Sequence, residues 1–521
     1  MPSHRRGSRK KPGNQIEDKN TKALNYQEAM RVVQDQSISR RVYKVIALLI
    51  PFLGTAFLWW YIKGASIDIV YSDYIRLINN YLPDTLSGKS FFVADIFTRI
   101  PITYPIRWLN VEFFSYSVDF DRFLGLLGVF VTMMILGIYI IRERVGVLAS
   151  IALVLAGFSL NKWELLINGS GYPHFLSYGL FFYNYLLLER VFTGTKKSYD
   201  DVKLTVLPFI ALLVSGPYIV QYVVTLIVTS FYLAYIKNRN VDKNRIPIYI
   251  ITTTIPLIIF LWSNNKSDYE YALTEDITLM EVLTQKTGFA VHFLLNGFAS
   301  LVIDGDRYES MLSTGTITYR SIYLIGAFVI LSYVVALILY FGKGIYKRTI
   351  FPFILMISGA GSHVLVFLSR YIFVRETYAW QSRYSLQYLP GVLGMLIIYG
   401  MVFSDWYEKY SINRLKDKKI IKESRRRRRS RIGVITCVMV LVSVIVPMFF
   451  IAGNCYVIKK EIANMPYRKA YFEAMKETAL HIDDYTDDEL NSIFEYNHGA
   501  NKVRYAFSVL KDNNLNIYST K

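Results

Sequence analysis

The chain alternates long apolar runs with shorter polar segments. Apolar runs lie at about 43–62, 123–141, 146–160, 174–192, 246–262, 320–341, 350–368, 388–404 and 433–453, with a tight pair inside about 203–236. A helix rises 1.5 Å per residue, so about twenty apolar residues cross a hydrocarbon core of about 30 Å. The pattern predicts an all-α polytopic membrane protein with about 11 transmembrane helices. One further apolar stretch, 287–303, is read as a re-entrant or interfacial helix. Counting it as a span would move the basic residues Lys343, Lys347 and Arg348 to the wrong side.

Between the runs, the polar segments give the domain plan. Residues 1–42 read as a disordered basic cytoplasmic tail. Residues 43–453 form the transmembrane domain, with external loops at 63–122, 263–319 and 369–387 and a basic cytoplasmic loop at 405–432. Residues 454–521 form an external C-terminal segment, with helices expected over 475–487 and 500–512. Within loop 63–122, Leu82-Pro83-Asp84 reads as a turn. Two amphipathic helices, 91–97 and 106–114, fit the headgroup plane through their aromatic residues.

Composition supports the membrane assignment and charge sets its orientation. The chain is 53% hydrophobic and only 19% charged, against about a quarter charged in soluble domains. The net charge of +19 raises the question of nucleic acid. The Lys and Arg residues instead collect at one set of span ends, as positive-inside topology requires. That places the N-terminus in the cytoplasm and the C-terminus outside, in a multi-pass protein of the plasma membrane. Cys437 and Cys455 lie about 27 Å apart along one expected helix, too far for a disulfide. Asn168-Gly-Ser has the form of a glycosylation acceptor, but a chain rich in Lys, Ile, Tyr and Asn points to a bacterial source.

Candidate chemistry concentrates on the external side. The stretch Ser66 to Arg76 carries Asp68 and Asp73 just past the first span. Asp73, beside Tyr71, Tyr74 and Arg76, is the first candidate for a general base, and Asp68 is the second. The second external loop offers Lys162-Trp163-Glu164, a Gly-Ser-Gly and His174. The loop between the ninth and tenth spans carries Arg370, Arg375, Arg383 and Tyr384. Guanidinium groups there suit a phosphate, which they grip in a fork. A bland alternative is interfacial anchoring and pairing with Glu376. Asp304-Gly-Asp306 looks like a metal-binding pair, a pattern common by chance, and no metal ligands are assigned.

No P-loop or dinucleotide fingerprint occurs, and no cytoplasmic loop is long enough for a nucleotide-binding domain. A transferase of this shape needs a donor already outside and held in the membrane. A polyprenyl-phosphate-linked sugar meets that requirement. One carboxylate takes the acceptor proton, and a cation or a divalent metal (Mg or Mn) stabilises the departing phosphate.

On these residues the chain resembles the GT-C class of membrane glycosyltransferases, in a bacterial, GtrII-like group. The resemblance rests on Ser72-Asp73-Tyr74, on the section from Phe97-Thr-Arg99-Ile-Pro101 to Trp108-Leu-Asn110, on Lys162-Trp163-Glu164 with Gly171, and on Gln381-Ser-Arg383-Tyr384. It implies a catalytic Asp and two jaw helices in the first external loop, with a lipid-phosphate donor. Arg76, Arg99, Glu164, His174, Arg370, Arg375, Arg383 and Tyr384 are then the substrate-binding set. The acceptor would be an envelope glycan, teichoic acid or glycolipid. Partner membrane proteins such as a flippase or a polyprenyl-phosphate glycosyltransferase would supply the donor. The paired acids of some branches are absent, which leaves metal use open. The alternative reading is a polysaccharide polymerase or a lipid-linked glycan flippase or transporter. Against a transporter, the spans carry few ionisable groups, chiefly Glu189 and His363.

Overall fold

The computed structural model describes residues 43–87, 103–215, 218–264, 275–420, 434–496, 498–499 and 501–520. The tail at 1–42, the expected amphipathic segment at 91–97, Arg99 and much of the basic run after 416 lie outside the described residues. Those described are almost entirely helical, with no strand among them.

Nine helices among the described residues are long and apolar enough to cross a membrane. They are α1 (Tyr43–Ala65), α4 (Val118–Glu143), α5 (Val147–Gly157) continued through a short helical turn and α6 (Trp163–Ile167), α9 (Tyr218–Tyr235), α10 (Ile246–Asn264), α14 (Tyr319–Gly342), α15 (Phe351–Arg370), α16 (Ser385–Ile420) and α17 (Val434–Leu480). The other two expected spans are also helices. Of these, α7 (Tyr172–Thr193) is rich in Tyr and carries His174, Asn184 and Glu189, which lower its hydropathy. The second, α8 (Asp200–Ser215), is only 16 residues long. Helix α12 (Thr287–Ala299) has 13 residues, which gives a length of roughly 20 Å. That falls short of a single crossing.

The bundle packs closely where glycines face each other. A Cβ on Gly359 of α15 would meet the backbone nitrogen of Gly391 in α16 at 2.3 Å, and one on Gly128 of α4 would meet the backbone of Phe175 in α7 at 2.3 Å. Small residues let helix backbones approach where lipid offers no hydrophobic drive to association.

Contacts sort the helix ends into two sets. At one end Tyr43 donates to the Val145 carbonyl and Arg348 reaches Glu143 and Asp405. There Glu189 accepts from the backbone N–H groups of Ile350 and Phe351, so it caps the start of α15 and pairs with Arg142 at 2.6 Å. This end carries Lys237, Arg239, Lys347 and Arg348 and is called the basic end below. The opposite end carries the segments expected to hold the chemistry.

At the opposite end, α2 (Asp73–Ser87) and α3 (Thr103–Phe114) lie against the start of α4. The turn expected at 82–84 is absent, because α2 runs on to Ser87. Its apolar face supplies the reason: Tyr74, Ile75, Leu77, Ile78 and Leu82 are all buried at helical spacing. Packing of that face outweighs the local cost of a proline, about 3 kcal/mol in a helix interior.

An ion pair locks these three helices. Arg107 of α3 donates to Asp121 of α4 at 2.6 Å, with neither side chain exposed. Tyr74 of α2 donates to the same carboxylate at 2.6 Å. The guanidinium lies 5.4–5.7 Å from the ring centres of Tyr74, Tyr116 and Tyr172, within cation–π range.

Helix α17 continues for 47 residues, through the expected boundary at 453/454. The separate helix expected at 475–487 is therefore corrected: residues to Leu480 belong to α17, and α18 (Asp487–Ile493) starts afresh from a Thr486–Glu489 capping box. Helix α19 (Lys502–Asp512) falls where the second was expected. It lays Val503, Ala506, Phe507 and Leu510 against α2.

Removing one member of a buried pair strands the other charge, at about 3–5 kcal/mol. Asp121→Ala is expected to destabilise the purified protein by that amount. An Asp405→Asn control at the exposed basic end should change it by under about 1 kcal/mol. Thermal unfolding in detergent measures both, and equal, small effects would show that the pair does not hold the helices.

Candidate functional site

Strained turns gather at the end that carries Asp73. Among the described residues, eight that are not glycine have positive φ, and seven of these lie at the end opposite the basic one: Ser72, Ser115, Tyr116, Val374, Glu495, Asn514 and Asn516. Such backbone costs of order 1–3 kcal/mol per residue and persists only where surroundings over-determine it. Ser72, at φ 50°, donates its N–H to the Phe494 carbonyl at 2.8 Å. The turn presents Asp73 as the first residue of α2, where the helix N-terminus favours a carboxylate.

Asp73 is 40% exposed and faces Arg76 at 3.8 Å. Its expected aromatic neighbours turn inward. Tyr74 binds Asp121, and Tyr71 packs 5.0 Å from Phe472 of α17. Burial raises the Tyr71 hydroxyl pKa above its usual value.

Asp68 has a different position. One oxygen accepts from Ser117 at 2.6 Å. The other accepts from the Val118 N–H at 2.7 Å and from Asn516 at 3.1 Å. Its carboxylate thus caps the start of α4 and fastens the C-terminal segment to the first loop. Asn516 also donates to the Tyr116 carbonyl.

Two further segments, around residues 162–164 and 382–384, bring charged groups within electrostatic reach of Asp73. Lys162 is buried, and its ammonium donates to the carbonyls of Gly157 and Ser159 at 3.0 and 2.8 Å. It thereby closes the C-terminus of α5 and fixes the turn that holds Trp163 and Glu164. Ser382 accepts from the Glu164 N–H and donates to the Asn161 carbonyl. This tie places Arg383 4.0 Å from Glu164, with the two side chains 42% and 36% exposed. Asp73 lies within electrostatic reach of both. Asp73, Arg76, Glu164 and Arg383, spread over three segments of sequence, therefore form one polar cluster, called the recess below, in which Asp73, Glu164 and Arg383 are partly exposed and Arg76 is buried.

Other expected residues sit around or away from it. Arg370 donates to the Tyr384 hydroxyl at 2.7 Å, and Arg383 lies 5.5 Å from the Tyr384 ring, so the Tyr384 side chain joins the two guanidinium groups. Arg375 is exposed and opens the helical turn Glu376–Trp380. His174 is buried, 4.3 Å from the Tyr218 ring. Glu376, the expected anchoring partner, engages His292 at 2.9 Å and Tyr323 at 2.7 Å. His363 is buried between the rings of Phe298 and Tyr388.

Several recess residues went unseen in the sequence. Arg468 of α17 lies over Trp163, 3.2 Å from the ring centre. It pairs with Glu461 at 3.0 Å and with Asp306 at 3.5 Å. Glu461 also binds Arg307, and accepts from Tyr61 of α1 at 2.9 Å. Asp306 and Glu495 lie within electrostatic reach of Glu164, and His498 within reach of Asp73 and Arg76. Only long-range contacts bring these together, and of them the sequence marks Asp306 alone, as half of Asp304-Gly-Asp306.

Asp304 caps α13 (Gly305–Ser313) by accepting from the Arg307 N–H. Its second oxygen, Oδ2, is buried with no hydrogen-bond partner. Among the described residues no cluster of three or more His, Cys, Asp or Glu is placed to hold a metal ion.

Burial, with Asp306 as the next cause, pushes the Asp304 carboxyl up to about 7. The folded state therefore holds this proton more tightly than the unfolded one. Its contribution to stability is full below the unfolded value near 4 and is lost as pH rises towards 7. Asp304→Asn is expected to flatten the fall in Tm between pH 5 and pH 8 while leaving the helix cap intact. An unchanged slope would remove Asp304 as its source.

Comparison with family models, with characterised proteins and with solved structures returns no match to this chain.

Proposed function

We infer that the chain is a membrane glycosyltransferase of GT-C type. It moves a sugar from a polyprenyl-phosphate donor to a cell-envelope glycan, teichoic acid or glycolipid. The observation that carries this reading is the polar cluster itself. A partly exposed carboxylate at a helix start, Asp73, lies within electrostatic reach of Arg383 and Glu164 at the end of a membrane bundle. A sugar transferred from phosphate needs a base for the acceptor hydroxyl and a cation for the leaving phosphate, and these residue types meet both needs.

Asp73 takes the acceptor proton. Arg383, steadied by Glu164 and the Tyr384 ring, binds the departing phosphate, and Arg370 braces Tyr384 from behind. Asp68, with both oxygens engaged in capping, holds the loop and stays in reserve as a base. Arg76 orients Asp73. Arg375 meets the headgroup region and His174 backs the recess. Arg99 belongs to the same loop. A divalent cation, Mg or Mn, would be a second partner for the phosphate.

In the same reading α7 and α8 also cross the bilayer, for eleven spans in all. The basic end faces the cytoplasm of a bacterial cell and the recess faces out, a reading supported by the gathering of Lys and Arg at one end. The donor then arrives from partner membrane proteins that make and flip it.

Asp73→Asn is expected to lower sugar transfer by about 10²–10⁴-fold, with unaltered protein level and Tm. Transfer at the parental rate would remove Asp73 as the base. In a deletion strain, loss of one side-branch sugar from the envelope fits a transferase, whereas a shortened polymer fits a polymerase. Arg383→Ala is expected to weaken binding of a polyprenyl phosphate by about 10–100-fold, the scale of a charge-assisted hydrogen bond. Calorimetry on the purified protein measures it, and wild-type affinity would return Arg383 to an anchoring role.

A further inference from the structure

The basic end holds a cleft that the recess does not use. Its volume is about 610 Å³, and Lys237, Asn238, Arg239, Asn240, Lys347 and Arg348 line it. These residues come from two separate connections, the one after α9 and the one between α14 and α15.

The cleft is built, not a chance gathering of loose side chains. Asn238 and Asn240 both donate to the Phe192 carbonyl at the end of α7, at 2.9 and 3.2 Å, and the Asn240 N–H binds the Asn238 side chain. The loop carrying Lys237 and Arg239 is thus tied to the last turn of α7. Across the gap, Arg348 is held by Glu143 and Asp405, and Lys347 lies 5.6 Å from the Tyr346 ring.

Charge in the cleft is not balanced. Lys237, Arg239 and Lys347 have no ion-pair partner among the described residues. Nearby acids are already engaged: Asp200 with Arg190, Asp201 with Lys196 and Arg245, and Asp242 with Arg245. Positive-inside topology explains why Lys and Arg gather at this end. It does not explain a fixed concavity with three uncompensated cations facing one space.

The surroundings suggest how a ligand reaches it. Phe231 and Tyr235, one turn apart on α9, are 60% and 93% exposed, and Phe341 at the end of α14 is also exposed. The Phe341 ring lies 5.8 Å from that of Tyr346. Exposed aromatic residues therefore stand at the ends of both helices that lead into the cleft, of the kind that marks a membrane interface.

We propose that this cleft binds a phosphate-bearing anion, with Lys237, Arg239 and Lys347 as its charge partners and the two asparagines as its floor. The chemistry is that of a phosphate ester with one to two negative charges. A lipid headgroup would enter from the aromatic side with its acyl chains along Phe231 and Tyr235. A soluble phosphate would enter from water. Basic recesses between spanning helices suit such headgroups, and each nearby Lys or Arg adds about tenfold or less to affinity.

The test uses the full-length protein in nanodiscs. Thermal unfolding is followed in phosphatidylcholine alone, in phosphatidylcholine with phosphatidylglycerol, and in phosphatidylcholine with added glycerol phosphate or inorganic phosphate. Anionic lipid is expected to raise Tm. The triple variant Lys237→Gln, Arg239→Gln, Lys347→Gln should lose that rise and bind the lipid at least about tenfold more weakly in native mass spectrometry. Lys343→Gln, exposed at the same end and outside the cleft lining, should keep both. A rise given by soluble phosphate, and lost in the triple variant, supports the site with a soluble source. Equal responses from the triple variant and the wild type, or an equal loss from Lys343→Gln, would overturn it. So would a wild type that responds to neither anion. Unfolding in phosphatidylcholine alone shows whether the triple variant is folded.

Discussion

A guanidinium and a carboxylate buried together, Arg107 and Asp121, set the geometry of the end that matters. Taking two charges out of water costs several kcal/mol each, and the attraction between them offsets that only when the geometry is tight and remaining polar atoms are engaged. Tyr74 and Asn110 engage the carboxylate, and the rings of Tyr74, Tyr116 and Tyr172 surround the guanidinium. The result is specificity of arrangement. Helices α2, α3 and α4 satisfy the pair in one register, and that register fixes where α2 begins. Asp73 is placed by an interaction of which it is not a member.

The rest of the recess is placed in a similar indirect way. Lys162 holds a turn so that Glu164 faces outward. Ser382 ties that turn to Arg383. Glu461 receives Tyr61 from α1 and both Arg307 and Arg468, so one carboxylate joins α1, α13 and α17. The accessible groups are few, and the buried polar groups behind them are many. An exposed carboxylate can shift by an ångström without penalty unless the structure beneath it is rigid, and orientation within that range decides whether a bound group is well aligned.

Legibility of the chain follows from the range of its interactions. Apolar runs depend only on local composition, so the membrane-spanning helices could be read directly, as could α19 from its apolar spacing. The end of α2 could not, because Pro83 signals a break locally and the packing of Ile78 and Leu82 outweighs it. Helix α7 blurs the span count from the other direction, since its tyrosines suit a helix buried among helices and lower the hydropathy that marks a crossing. In the recess, Asp73 and Glu164 were visible as carboxylates in short polar segments between apolar runs, and Arg383 as an arginine on the side where positive-inside topology does not call for one. Arg468 and Glu495 were not, since nothing near them in sequence distinguishes them from ordinary surface charge.

The bond between Asp68 and Asn516 joins positions 448 apart in sequence. On a ribosome, the first loop is made early and must wait while every other spanning helix is inserted. Only when the residues around 516 emerge can Asn516 reach Asp68, and only then is the turn before α4 fastened. The turn before α4 is thus fastened later in synthesis than the helices of the bundle it joins, by a segment that lies beyond all of them in the chain.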